Sequence, residues 1–103
     1  MILAGIHKLR MASFVYIIAS KKNGTLYIGV TSDLKYRICQ HKDSLTPGFT
    51  QRYNVTMLVY FEEYTDIRDA IVREKQLKKW NRDWKIRLVE KTNPEWQDLY
   101  FDL

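Results

Sequence analysis

Phe14-Val15-Tyr16-Ile17-Ile18-Ala19, then Asn23-Gly24, then Leu26-Tyr27-Ile28-Gly29-Val30 is the stretch that decides how this chain folds. Two apolar runs rich in branched and aromatic residues, separated by Asn-Gly, predict a β-hairpin, because a type I′ turn needs positive φ at both central residues. A two-residue turn sets a register that pairs Lys22 with Thr25, Ser20 with Tyr27, Ile18 with Gly29 and Tyr16 with Thr31. Alternation then places Tyr16, Tyr27, Gly29 and Thr31 on one face, and Val15, Ile17, Ala19, Leu26, Ile28 and Val30 on the other. The second face is wholly aliphatic and is a core surface. The first gathers phenols and a hydroxyl around a glycine, which suits a polar site.

Working outward, Thr31-Ser32-Asp33 offers N-cap side chains to a helix that runs to about Lys42. Leu34 and Ile38 form its apolar stripe, and Arg37 and His41 fall on the same side, facing the sheet. Asp43 to Arg52, with Pro47-Gly48, reads as a loop carrying Phe49, Arg52 and Tyr53 on its rim. Thr56 to Phe61 is a third strand. Thr65 or Asp66 caps a second helix from about Ile67 to Trp80, with Ile67, Ala70, Ile71, Glu74 and Leu77 as its inward stripe. Asn81 caps a third helix bearing Trp84, Ile86, Leu88 and Val89, and Asn93-Pro94 ends it before the aromatic tail of Trp96, Leu99, Tyr100 and Phe101. The order β-β-α-β-α-α predicts an α+β fold, a small three-stranded, mostly antiparallel sheet flanked by helices.

A carboxylate in the middle of an apolar stripe is costly to desolvate unless it is paired or bound to a cation, which singles out Glu74. An acidic ligand, a forked cation at Arg37, two phenols at Tyr16 and Tyr27, and an imidazole at His41 are the groups that phosphodiester hydrolysis needs. One carboxylate with waters and a substrate phosphate is a normal way to hold Mg²⁺ or Mn²⁺. Either Tyr27 or His41 has the chemistry to accept the water's proton. The phenol starts near pKa 10 and needs neighbouring cations, whereas the imidazole starts near 6.5.

Tyr16 at the end of Phe14-Val15-Tyr16, Tyr27-Ile28-Gly29, Arg37 with His41 one turn later, Glu74 on the next long helix and Asn93-Pro94 together resemble the GIY-YIG nuclease domain. The resemblance runs from Met11 onward and is nearest to the small standalone bacterial members. Phe14-Val15 stand where the name-giving motif has Gly-Ile, and Val30 stands where some relatives carry a lysine. It implies that Tyr27 activates or orients the water, that Arg37 contacts the phosphate, and that Glu74 binds a single divalent metal, Mg²⁺ or Mn²⁺. The products would be a 5′-phosphate and a 3′-hydroxyl. Tyr16 would stand beside the nucleophile, and His41 where members carry His or Tyr. Gly29 and the late Asn93, with Asn81 as the alternative, would support the site.

Composition agrees with this class. Lys plus Arg exceed Asp plus Glu by 17 to 12 in 103 residues, a formal charge of +5 that favours a polyanionic partner. Lys75, Lys78 and Lys79, with Arg82, Lys85 and Arg87 beyond them and Arg52 on the loop, are the expected contacts to a nucleic-acid backbone, DNA ahead of RNA. The bland alternative is a solvated helix face. A single cysteine, Cys39, excludes an internal disulfide framework and fits a reducing, cytoplasmic setting. No apolar run reaches the roughly 18 residues of a membrane span. Residues 1–12 read as an extension without a signal peptide, Met11 as an alternative start, and residues 13–103 as one nuclease-like domain. A homodimer or a separate targeting protein is left open. The competing function is a catalytically weak or inactive module of the same fold that binds nucleic acid or a protein partner.

Overall fold

The computed structural model describes residues 12–43 and 48–103; the expected N-terminal extension before residue 12 and residues 44–47 of the loop lie outside the described residues. Strands β1 (Ser13–Ala19), β2 (Leu26–Thr31) and β3 (Met57–Tyr64) form an antiparallel sheet in the order β2-β1-β3. Helices α1 (Leu34–Lys42), α2 (Phe49–Arg52), α3 (Ile67–Lys79) and α4 (Arg82–Thr92) surround it, and a 3₁₀ turn at Leu99–Asp102 closes the chain. The fold is α+β, as the element order predicts. No helix among the described residues is long and apolar enough to cross a membrane.

The hairpin forms, with a register two residues away from the expected one. Tyr16 pairs with Gly29 and Ile18 with Tyr27. Asn23 takes positive φ, 57°, but Gly24 does not, so the turn is not type I′. Instead Gly24 N donates to Lys21 O at 2.9 Å, Ser20 N to Thr25 O at 3.0 Å and Thr25 N to Ser20 Oγ at 3.0 Å, which makes a four-residue loop. A Cβ on Gly24 would lie 2.4 Å from Ser20 Oγ, so only glycine lets that hydroxyl close the loop. Because the slip is an even number of residues, both faces keep their expected membership.

Each face carries its own core. Val15, Ile17, Ala19 and Ile28 pack with Ala70 and Leu77 of α3, Val89 of α4 and the buried Trp96. Tyr16 and Ile18 pack on the opposite face with Leu34 and Ile38 of α1, Val55 and Leu58. Asp33 caps α1 by accepting from Tyr36 N, Asp66 caps α3 through Arg68 N, and Asn81 caps α4 through Trp84 N.

The inward stripe of α3 is rotated from the one expected. Ala70 and Leu77 are buried, whereas Ile67 and Ile71 are 42% and 36% exposed. Arg73 lies on the other side of the buried stripe from the isoleucines. Its guanidinium grips Glu62 of β3 at 3.0 Å and lies over the Trp80 ring. Burial alone would raise the Glu62 pKa, but hydrogen bonds from Arg73, Tyr60 and Tyr64 hold that carboxyl below its ordinary value. Glu74 therefore sits at the edge of the buried stripe, not in its middle.

A β-bulge separates Ile17, paired with Tyr60, from Ile18, paired with Leu58, and leaves Val59 without a strand partner. Asn93 compensates. Its buried amide donates to Val59 O at 3.0 Å and to Gln97 O at 2.9 Å, and its carbonyl oxygen accepts from Gln97 N at 2.9 Å. The side chain thus closes the orphaned carbonyl of the bulge and sets the direction of the tail.

Candidate active site

The site is built on the hairpin face that holds the phenols. Tyr16 lies directly across from Gly29, and a Cβ there would lie 2.4 Å from the Tyr16 ring and hydroxyl, so the glycine is what lets the phenol lie over β2. His41, on the last turn of α1, is 3% exposed and stands between two hydroxyls. Its Nε2 is 3.0 Å from Tyr16 Oη and its Nδ1 3.1 Å from Thr50 Oγ1. Burial, reinforced by the Arg37 guanidinium, lowers the His41 pKa to about 4, so the ring is neutral at pH 7. A neutral imidazole donates from one nitrogen and accepts at the other, which matches one hydroxyl on each side.

Tyr16 reports on what else converges here. Burial raises its pKa above the ordinary phenol value. Arg37, by hydrogen bonding and by its charge, pulls it down, while Tyr27 and Glu74 add to the rise. The two phenols, the guanidinium and the carboxylate therefore share one electrostatic neighbourhood, although Arg37 comes from the helix on one face of the sheet and Glu74 from a helix on the other. β2, which carries Tyr27, is an edge strand. Arg37 also donates to Gln40 Oε1 at 3.2 Å. The Glu74 side chain is 14% exposed and bonded to Lys78 Nζ at 3.0 Å.

Beside Tyr27 a groove of about 300 Å³ follows the β2 edge, lined by Leu26, Tyr27, Ile28, Phe49, Lys78 and Lys85. Burial, with Arg82 nearby, lowers the Lys85 ammonium below the ordinary lysine pKa. Phe49 stacks on Tyr27 at 6.1 Å and meets Tyr53 at 4.8 Å. Arg52 is exposed on α2 and lines a second open cavity with Phe49, Gln51 and Tyr53. Lys75 and Lys79 are exposed on α3. Asn93 makes its bonds to β3 and the tail, and none of them reaches the phenols, Arg37 or Glu74.

One member of the site escapes a reading of the sequence. Thr50 lies in a segment whose Pro-Gly signal reads as loop, yet residues 49–52 form a helical turn that brings its hydroxyl to His41. A buried histidine needs two hydrogen-bond partners, and that accounting was the available clue that a second hydroxyl stands behind His41.

Residues 12–87 match the family model described as the GIY-YIG catalytic domain. The chain is 31% identical over 77 residues to a UPF0213 protein of Staphylococcus epidermidis, covering 75% of this chain and 93% of that one. It is 34% identical over 93 residues to a UPF0213 protein of Desulfotalea psychrophila, covering 89% and 84%. The solution NMR structure of a UPF0213 protein from Bacillus halodurans superposes with a TM-score of 0.54 at 26% identity, covering 85% of this chain and 93% of that one. A family match across residues 12–87, most of the chain, means that this chain belongs to the GIY-YIG family of nucleases.

Proposed function

We propose that the chain is a divalent-metal-dependent endonuclease that hydrolyses phosphodiester bonds in nucleic acid, DNA ahead of RNA, leaving a 5′-phosphate and a 3′-hydroxyl. What supports this reading is Tyr16, laid over Gly29 and hydrogen-bonded to the buried His41, with Arg37, Tyr27 and Glu74 all acting on its phenol. Four groups of complementary chemistry at one strand edge have no structural task that explains them together.

The donor set fits a hard cation held mainly by water and substrate. Glu74 is a single half-buried carboxylate, and no group of three or more His, Cys, Asp or Glu is gathered as a metal cage among the described residues. That suits Mg²⁺ or Mn²⁺ and not a structural zinc. When bound at Glu74, the cation would supply charge stabilisation to the phosphoryl oxygens. Arg37 forks two donors onto the scissile phosphate, a geometry that lysine lacks. Tyr27, beside the groove, orients the attacking water. His41 has both ring nitrogens occupied, so it acts through Tyr16, holding that phenol beside the nucleophile. Thr50 holds the ring in turn. Val30 offers no cation, which leaves Arg37 the main positive group at the phosphate. Arg52, Lys75, Lys78 and Lys79 carry the flanking backbone.

The Lys78–Glu74 pair favours a second reading. An ammonium 3.0 Å from the carboxylate already balances its charge, as a binding module without hydrolytic activity would require. Purified protein incubated with Mg²⁺, Mn²⁺ or chelator and supercoiled plasmid, oligonucleotide or RNA separates the two. Metal-dependent cleavage that Glu74→Gln removes while the circular dichroism spectrum is retained supports the nuclease. Binding without cleavage under every metal supports the module, and equal cleavage by Glu74→Gln rejects the site.

A further inference from the structure

α4 carries chemistry that the catalytic groove does not use. Trp84, Arg87, Leu88 and Lys91 follow one another at helical spacing and, with Trp80, line a cleft of about 250 Å³. Trp84 is 50% exposed although it is among the most apolar side chains of the protein. Its ring meets Trp80 edge to face, with centroids 5.7 Å apart and planes at 88°. Trp80 is itself fixed, because the Arg73 guanidinium lies 5.1 Å from its centroid and is held by Glu62. The result is a rigid indole standing half in solvent on a supported base.

The charges around it indicate the occupant. Arg87 and Lys91 border the cleft, and no carboxylate lines it. Glu90, on the same helix, is engaged elsewhere, accepting from the buried Trp96 Nε1 at 2.7 Å. An indole flanked by two cations suits a base with its adjoining phosphates, since stacking on the aromatic face and pairing with the cations act at once. An apolar protein partner would gain nothing from Arg87 and Lys91. α4 also borders both cavities, since Lys85, next to Trp84 in sequence, lines the groove beside Tyr27. Trp84 to Lys91 spans about 10 Å along the helix, room for more than one phosphate.

We infer that the Trp80–Trp84 cleft is a nucleic-acid exosite, a second contact at which the strand leaving the catalytic groove stacks a base on Trp84 and sets phosphates on Arg87 and Lys91. This rests on the nucleic-acid reading above and extends it to a site remote from the chemistry.

The test uses the full chain. Anisotropy titrations of a labelled oligonucleotide with Glu74→Gln protein, silent for cleavage, measure affinity in the parent, Trp84→Ala, Trp84→Phe and Arg87→Gln backgrounds. Trp84→Ala weakens binding roughly 5- to 100-fold and Trp84→Phe retains most of it, as stacking requires. Arg87→Gln lowers the slope of log affinity against log salt by about 0.7 to 0.9. In the cleaving enzyme, Trp84→Ala raises KM for long substrates and leaves kcat, and the rate on an oligonucleotide confined to the catalytic groove, unchanged. Unaltered affinity in Trp84→Ala overturns the exosite and leaves the nuclease standing, as does a change of sedimentation behaviour with affinity intact, which would make the cleft a contact between copies. Failure of the parent to bind any nucleic acid overturns both readings.

Discussion

The neutral His41 makes the stability of this fold pH-dependent in a window where few other groups titrate. In the unfolded chain its pKa returns to about 6.5, whereas burial and the Arg37 guanidinium hold it at about 4 in the fold. As pH falls below about 6.5 the unfolded state gains a proton that the folded state refuses, so stability drops with pH and the loss is complete only below the folded pKa. With those two values the lost stability is about 2 kcal/mol at about pH 5 and about 3 kcal/mol at about pH 4. Paired carboxylates such as Glu62, whose folded pKa is depressed, contribute stability above their unfolded pKa of about 4.5 and lose it below, so they leave the upper part of the window to the histidine. Urea unfolding of the parent and of His41→Gln across this range provides the measurement. The variant is less stable at neutral pH, because Tyr16 and Thr50 lose a ring shaped to fit between them, but its curve flattens by about 2 kcal/mol at about pH 5 relative to the parent. Parallel pH curves for the two proteins would refute the claim that a buried, neutral imidazole underlies the site.

Three further outcomes follow from the geometry. Gly29→Ala places a Cβ 2.4 Å from the Tyr16 ring, so we expect about 1–3 kcal/mol of destabilisation in urea together with loss of cleavage, and a variant of parental stability and rate would mean that the phenol is not wedged over β2. Asn93→Ala leaves Val59 O and two Gln97 groups without their partner, which costs on the order of 3 kcal/mol by thermal or urea unfolding, and a loss within error of zero would show that water replaces the amide. Arg37→Lys keeps the charge and removes the fork, so single-turnover cleavage falls on the order of 100-fold, and near-parental rates would take Arg37 away from the phosphate.

The parts of the fold legible in the sequence are those governed by local chemistry and alternation. The strands, the caps at Asp33, Asp66 and Asn81, and the two faces of the hairpin all follow from residues within a few positions of one another. The turn was misread because Asn-Gly permits a type I′ turn but does not enforce it, and Ser20 Oγ, four residues before Gly24, offers a competing closure. The rotation of α3 was hidden for a different reason. A helical wheel ranks Ile67 and Ile71 as core, whereas the partly buried Arg73–Glu62 pair on the other side of the stripe joins residues 11 apart through tertiary packing. Asn93 drew attention as a late site asparagine, and its visible task is at a bulge that no sequence pattern announces. Thr50 lay behind a Pro-Gly signal and became visible only when His41 was found buried.

The edge position of β2 is what allows a chain this small to hold such a site. A carboxylate and a guanidinium on the same helix face would pair with each other and leave nothing for substrate, at a gain of only a few tenths of a kcal/mol. Here Arg37 rides on the helix covering the Tyr16 face and Glu74 on the helix covering the other, with the sheet between the two helices. Arg37 donates to Gln40 and also acts on Tyr16, while Glu74 pairs with Lys78. Gln40 and Lys78 each sit within one helical turn of their partner on the same element. β2 is paired on one side only, and a fourth strand covering it would close the groove at Lys78 and Lys85.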